Sequence, residues 1–201
     1  MQKKGFTLVE LLVVLALIAI LAAVLIVVIR PAEIFRRGRD TQRQGDLRNL
    51  AAAVDAYLTE VAINPSLAWP ARGSCSNIFF SVTTTANPTG WPTMPSGYTA
   101  TGTTSNSSAG TGWVPLNFNQ VSVINLPQLP LDPRNGQTGT VNGTNVTFAY
   151  AFSCSPDFNY EFAAKLEGPT STMAADGGNR NCTTSGADCL YEVGPGKGNL
   201  Y

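Results

Sequence analysis

The 201-residue chain carries 13 basic and 13 acidic side chains and no histidine. Balanced charge offers no electrostatic basis for holding a polyanion, and without imidazole both His-dependent triads and His-containing zinc sites are excluded. The length allows one globular domain beyond an anchor, and Cys75, Cys154, Cys182 and Cys189 lack the C-x-x-C spacing of a thioredoxin-like motif or zinc ribbon.

The chain opens on Lys3-Lys4-Gly5, continues with Phe6-Thr7-Leu8-Val9-Glu10, and enters a run from Leu11 to Ile29 made only of Leu, Ile, Val and Ala. At about 1.5 Å rise per residue such a run spans roughly the 30 Å hydrocarbon core of a bilayer. Only a helix satisfies its own backbone there, so a transmembrane helix is expected at about 8–29. Glu10 is the anomaly. A carboxylate at the head of the apolar run costs about 2.5 to 3.5 kcal/mol or more if unpaired, and it calls for a positive partner. An ordinary secretory signal has a core of about 7 to 15 residues and then a small-residue cleavage site, which this run outlasts. A plain single-pass anchor would let Glu10 snorkel to the interface.

Past the bilayer the helix is expected to continue to about residue 62. Pro31 removes a backbone donor and clashes with the carbonyl of Val27, which predicts a kink. Gly38 and Gly45 each weaken the helix by about 1 kcal/mol relative to alanine, while Glu33 with Arg37 and Arg36 with Asp40 are favourable i,i+4 pairs. Leu47, Leu50, Val54, Tyr57, Leu58 and Val61 recur at spacings of three and four and predict one apolar face for packing on a sheet. The arginines between Arg36 and Arg48 read either as a solvated helix face or as partners for inter-subunit ion pairs. Asn64-Pro65 ends the helix.

Residues 69–112 turn to Ser, Thr, Gly, Asn and Pro, with isolated aromatics at Phe79, Phe80, Trp91 and Tyr98, and read as a long connecting loop. Those rings could stack on a glycan or a single strand, but Arg72 is the lone nearby cation, so no nucleic acid is expected. A proline-punctuated apolar stretch, Trp113 to Pro133, should cross the core without a long strand. Strands are expected at Val146–Cys154 and Tyr160–Leu166, joined by Ser155-Pro156-Asp157 into an antiparallel hairpin spanning about 146–166.

The basic leader ending in Gly5, then Phe6-Thr7-Leu8-x-Glu10 and an apolar helix, resembles the N-terminus of type IV prepilins and of type II secretion pseudopilins. The later order of Leu-Pro-x-Asp-Pro, Tyr-Ala-Phe, Tyr-Glu-Phe-Ala-Ala-Lys-Leu-Glu and Tyr191-Glu192-Val193-Gly194 resembles the same group more loosely. The resemblance implies an α+β lollipop: a long N-terminal helix packed on a small antiparallel sheet. It implies a leader at 1–5, a helix at 6–62 and a pilin-like head at 63–201. A prepilin peptidase would cut between Gly5 and Phe6 and N-methylate Phe6, making Glu10 the fifth residue. The cut creates an α-amine with a pKa near 8, which Glu10 of a neighbouring subunit could neutralise. The partners implied are further copies, other pilins, the peptidase and an inner-membrane assembly platform.

The function implied is a non-enzymatic subunit of a pilus or pilus-like filament. The alternatives are a major pseudopilin of a secretion system and a monomeric membrane-anchored surface binding protein. Orientation carries a conflict, because six arginines from Arg30 to Arg48 follow the helix and the positive-inside rule would hold them in the cytoplasm. Glu33, Asp40 and Asp46 are interspersed among them, and the leader and the even cysteine count place the head outside the cytoplasm, on an inner-membrane anchor and then in a periplasmic or extracellular filament. Four cysteines allow three pairings; Cys182 with Cys189 can close a short loop, leaving Cys75 with Cys154. No cofactor or metal is expected. Asp157, Glu161, Glu167, Asp176, Asp188 and Glu192 could supply oxygens to calcium, but no EF-hand series is present. Sequons at Asn106, Asn142, Asn145 and Asn181 arise readily in Asn/Thr-rich loops.

Overall fold

The computed structural model describes residues 5–64, 67, 69, 74–168, 173, 175–178, 180 and 189–197. Two helices come first, α1 at Leu8–Ile29 and α2 at Pro31–Val61. The kink expected in one continuous helix is a break. Arg30 sits in the left-handed region with φ 48° and ψ 68°, because the residue before a proline is pushed out of the α region. Pro31 then takes the first position of α2, where its missing N–H costs no hydrogen bond and its fixed φ is already helical.

A five-stranded sheet receives α2. Its strands are β1 at Asn77–Phe80, β2 at Thr99–Gly102, β5 at Tyr150–Cys154, β6 at Tyr160–Ala164 and β7 at Tyr191–Val193, in the order β2-β1-β5-β6-β7. All neighbours are antiparallel except β1 and β2. A separate hairpin joins β3 at Thr138–Val141 to β4 at Thr144–Thr147 through Asn142-Gly143. Both turn residues have positive φ, 45° and 77°, the twist that a two-residue hairpin turn requires.

On α2, Leu47, Leu50, Val54 and Tyr57 are buried, with Leu58 and Val61 partly so, against Trp113, Phe118, Tyr150, Phe152 and Phe162. The apolar periodicity therefore marks the sheet-facing side. Every residue of β5 and β6 is buried, which requires cover on both faces of the sheet. The second cover comes from the stretch expected as a loop at 69–112: it contributes β1 and β2 and lays Trp91 edge-on against Phe80, with ring centroids 5.2 Å apart. The Trp91 indole N–H donates to the Thr147 carbonyl at 2.8 Å. Four-residue strands amid Ser, Thr and Gly, one pair of them parallel, leave too short an alternation to be seen in a sequence.

The strand expected at Val146–Cys154 is divided. Thr144–Thr147 pairs with β3, and the chain rejoins the large sheet at Tyr150. The hairpin with β6 forms in the register Phe152 opposite Phe162 and Cys154 opposite Tyr160. A disulfide joins Cys75, just before β1, to Cys154 at the end of β5, closing a separation of 79 residues.

Candidate functional site

The N-terminal segment presents its groups openly. Gly5, Phe6 and Thr7 precede the helix and are exposed, Phe6 by 85%. Thr7 is extended, with φ −81° and ψ 151°, and caps α1: its hydroxyl oxygen accepts the Glu10 amide at 3.3 Å. Glu10 Oε2 accepts in return from the Thr7 amide at 3.1 Å and the Thr7 hydroxyl at 2.9 Å. This reciprocal cap satisfies backbone donors that the first turn would otherwise leave open. The carboxylate that seemed to lack a partner thus has one within its own subunit. The signal for it, Thr-x-x-Glu directly before an apolar run, is in the sequence. Both bonds fall on Oε2, leaving Oε1 open to a further donor. Lys3 and Lys4 lie outside the described residues.

From Leu8 to Ile26 runs a helical span long and apolar enough to cross a membrane, with none of its residues buried. The described residues of the head leave this apolar surface uncovered, a surface of the kind that lipid or other chains cover.

Around Arg43 of α2, three cations and three carboxylates interlock. Arg43 is fully buried: its Nε and Nη2 donate to the two oxygens of Asp132 at 2.7 and 2.9 Å, and its Nη1 donates to Asp40 at 2.8 Å and Glu167 at 2.9 Å. Arg39 holds Glu167 through two bonds of 2.7 and 2.6 Å, and Arg134 reaches it at 3.2 Å. Arg43 and Arg134 also lie over the Phe148 ring, at 4.7 and 4.5 Å from its centroid. Asp40 accepts from the Glu167 and Gly168 amides. Burial pushes the Glu167 carboxyl up, but the hydrogen bonds from Arg39 and Arg43 outweigh it and hold the group down to about 2. Burial alone would lower the Arg43 pKa, and the Asp132, Glu167 and Asp40 carboxylates more than reverse that. Of the arginines read as a solvated face or as inter-subunit partners, Arg39 and Arg43 are instead internal ties between α2, the Asp132-Pro133-Arg134 turn and the end of β6. Arg37 alone keeps an exposed helix pair, to Glu33 at 3.2 Å.

The first residues of β5, β6 and β7 are tyrosines, and each hydroxyl meets α2. Tyr150 donates to Asp46 at 2.8 Å, the single Tyr160 O–H is shared between the Ala51 carbonyl at 2.9 Å and Asp55 at 2.6 Å, and Tyr191 accepts from Arg48 Nε at 3.1 Å. Burial, then the facing aspartates, raises the pKa of Tyr150 and Tyr160.

The remaining candidates are dispersed. Phe80 and Trp91 are buried and so build no stacking platform. Among the described residues, no three His, Cys, Asp or Glu side chains converge to hold a metal; Glu167 serves the arginines and Asp188 lies outside them. Cys189 is buried and disulfide-bonded, while Cys182 lies outside the described residues.

An exposed apolar helix ahead of a second helix packed on an antiparallel-rich sheet is a pilin-like α+β arrangement, and the apolar helix fits a membrane-anchored protein. Residues 1–26 match the prokaryotic N-terminal methylation motif, the hallmark of type IV pilins and pseudopilins. Comparison with curated proteins and with solved structures gave no match.

Proposed function

We propose that the chain is a structural subunit that polymerises into a type IV pilus or pilus-like filament. It divides into a leader at 1–5, a helical stalk at 6–62 and a head at 63–201. A prepilin peptidase cuts between Gly5 and Phe6 and methylates the new amine, and Glu10 of one subunit receives the Phe6 ammonium of its neighbour. The observation that carries this reading is the methylation motif feeding an apolar helix that the described residues leave unburied. Gly5 and Phe6 lie in an exposed, non-helical stretch, the form in which a peptidase can thread a substrate. Glu10 Oε1 supplies the acceptor, while the cap through Oε2 holds the carboxylate at the helix start. Burying that ion pair among apolar helices makes its two halves depend on each other. The chemistry asked of the chain is to be cut and to assemble, and it needs no catalytic group of its own.

Mass spectrometry of the mature protein tests the first step. N-methylated Phe6 should be its first residue, and Gly5→Leu should leave the leader attached, since the bulky side chain would obstruct the peptidase. Intact Met1 in assembled filaments would overturn the reading.

A further inference from the structure

Six arginines follow α1 between Arg30 and Arg48, and they conflict with the positive-inside rule for a head outside the cytoplasm. The fold accounts for half of them. Arg39 and Arg43 hold the carboxylates of the ion network, and Arg48 donates to Tyr191. Of the other three, Arg37 uses only its Nε, on Glu33. Arg30 and Arg36 are exposed and meet no carboxylate among the described residues. Glu33 is the one acidic residue between Leu11 and Arg37, so three guanidinium groups face a single carboxylate.

All three stand within about two helical turns of the joint between α1 and α2. The 22 residues of α1, at about 1.5 Å each, come close to the roughly 30 Å thickness of the hydrocarbon core. Arg30, the next residue, therefore falls at the level of the lipid headgroups. There the two helices meet around a cavity of about 670 Å³, lined by the aliphatic Val28, Ile29 and Ile34 and by the charged Arg30, Glu33 and Arg37. The first turn of α2 has no side-chain cap, so the positive end of that helix adds to the field of the arginines.

We propose that this joint binds the headgroup of an anionic phospholipid. Arg30 and Arg37 hold the phosphate, Arg36 adds positive charge beside it, and Val28, Ile29 and Ile34 pack against the first methylenes of the acyl chains. The mixed lining of the cavity decides the occupant. A free inorganic anion would pair with the arginines but leave the three aliphatic side chains wet. A net-neutral lipid would cover those side chains but leave the surplus positive charge unmatched. An anionic lipid satisfies both, and the planar fork of arginine suits phosphate because it donates two parallel bonds. The inference rests on the membrane-anchored reading of α1.

The test reconstitutes the full chain in phosphatidylcholine vesicles and measures, by spin-label spectroscopy, how much labelled phosphatidylglycerol and how much labelled phosphatidylcholine the protein immobilises. Phosphatidylglycerol should associate at least about fivefold more strongly, the factor that roughly one arginine at an anionic surface supplies. Added salt should reduce the preference. Arg30→Gln combined with Arg37→Gln should abolish it, and Glu33→Gln should keep or raise it. Thr59→Glu shifts charge in the same direction as the arginine changes but near the far end of α2, and should leave the preference intact. Equal association of the two lipids would assign the arginines to acidic groups of another copy and overturn the proposal. Displacement of phosphatidylglycerol by inorganic phosphate at matched ionic strength would make this a free-anion site and overturn it as well. Alkaline extraction of membranes checks the anchor separately: a chain that washes out defeats the anchor and the lipid site together, whereas a retained chain without lipid preference defeats the lipid site alone.

Discussion

Arg43 shows how far a single residue can depart from what its neighbours in sequence suggest. It lies among arginines that look like a charged helix face, yet its side chain has no exposure and is surrounded by Asp132, Asp40 and Glu167. Arg43→Met leaves three carboxylates facing one another around a lost cation. A buried pair broken from one side costs about 3 to 5 kcal/mol, so the melting temperature should fall by roughly 10 °C. Arg37→Ala, at the exposed Glu33 pair, should change stability by less than about 0.5 kcal/mol. The network also sets an acid limit. Glu167 is depressed from 4.5 to about 2 in the folded head, so its contribution is complete above 4.5 and is lost as pH falls from there toward 2. Asp46, raised by burial, works in the opposite direction, because its neutral form suits the fold better. In Glu167→Gln the acid-side loss should be shallower than in the unmodified chain, measured as melting temperature against pH; parallel slopes would contradict the assignment.

At the scale of elements, three devices hold the head to α2: the apolar face from Leu47 to Tyr57, the tyrosine hydroxyls at the starts of β5, β6 and β7, and the ion network around Arg43. A fourth, the Cys75–Cys154 bridge, ties the entry to β1 to the end of β5. Closing a loop of 79 residues contributes about 4 kcal/mol by chain entropy. Reduction should therefore lower the melting temperature by on the order of 10 °C, and a change below about 2 °C would show that the bridge adds nothing to stability. The elements legible in the sequence were those with long periodicity: α1 by its apolar run, the buried face of α2 by its three-and-four spacing, and the β5–β6 hairpin by alternation around Ser155-Pro156-Asp157. The short strands β1 and β2 and the division at Phe148 were not, since pairing partners distant in sequence define them. The ion network was hidden for the same reason: Asp132 and Glu167 meet Arg43 only once the sheet has formed. The Thr7–Glu10 cap, by contrast, was readable from four residues.

The whole molecule divides its work along its length. Every residue of β5 and β6 is buried within the head, whereas the span Leu8–Ile26 of α1 is left unburied by the described residues; in the filament we propose, that span is covered first by lipid and then by other copies. Arg30, left-handed between the two helices, marks the joint where the anchor can be set at an angle to the head. Glu10 caps its own helix through Thr7, and in the filament we propose it also takes a neighbour's ammonium. Glu10→Gln retains shape and part of the cap while removing the charge. Insertion depends on the untouched run from Leu11 to Ile29 and should persist, but each contact loses the negative half of a buried pair, about 3 to 5 kcal/mol. The most direct test is sheared surface filament against membrane-bound subunit for Glu10→Gln. We expect filament to be absent or sharply reduced with subunit retained in the membrane; filament yield equal to that of the unmodified chain would contradict the account.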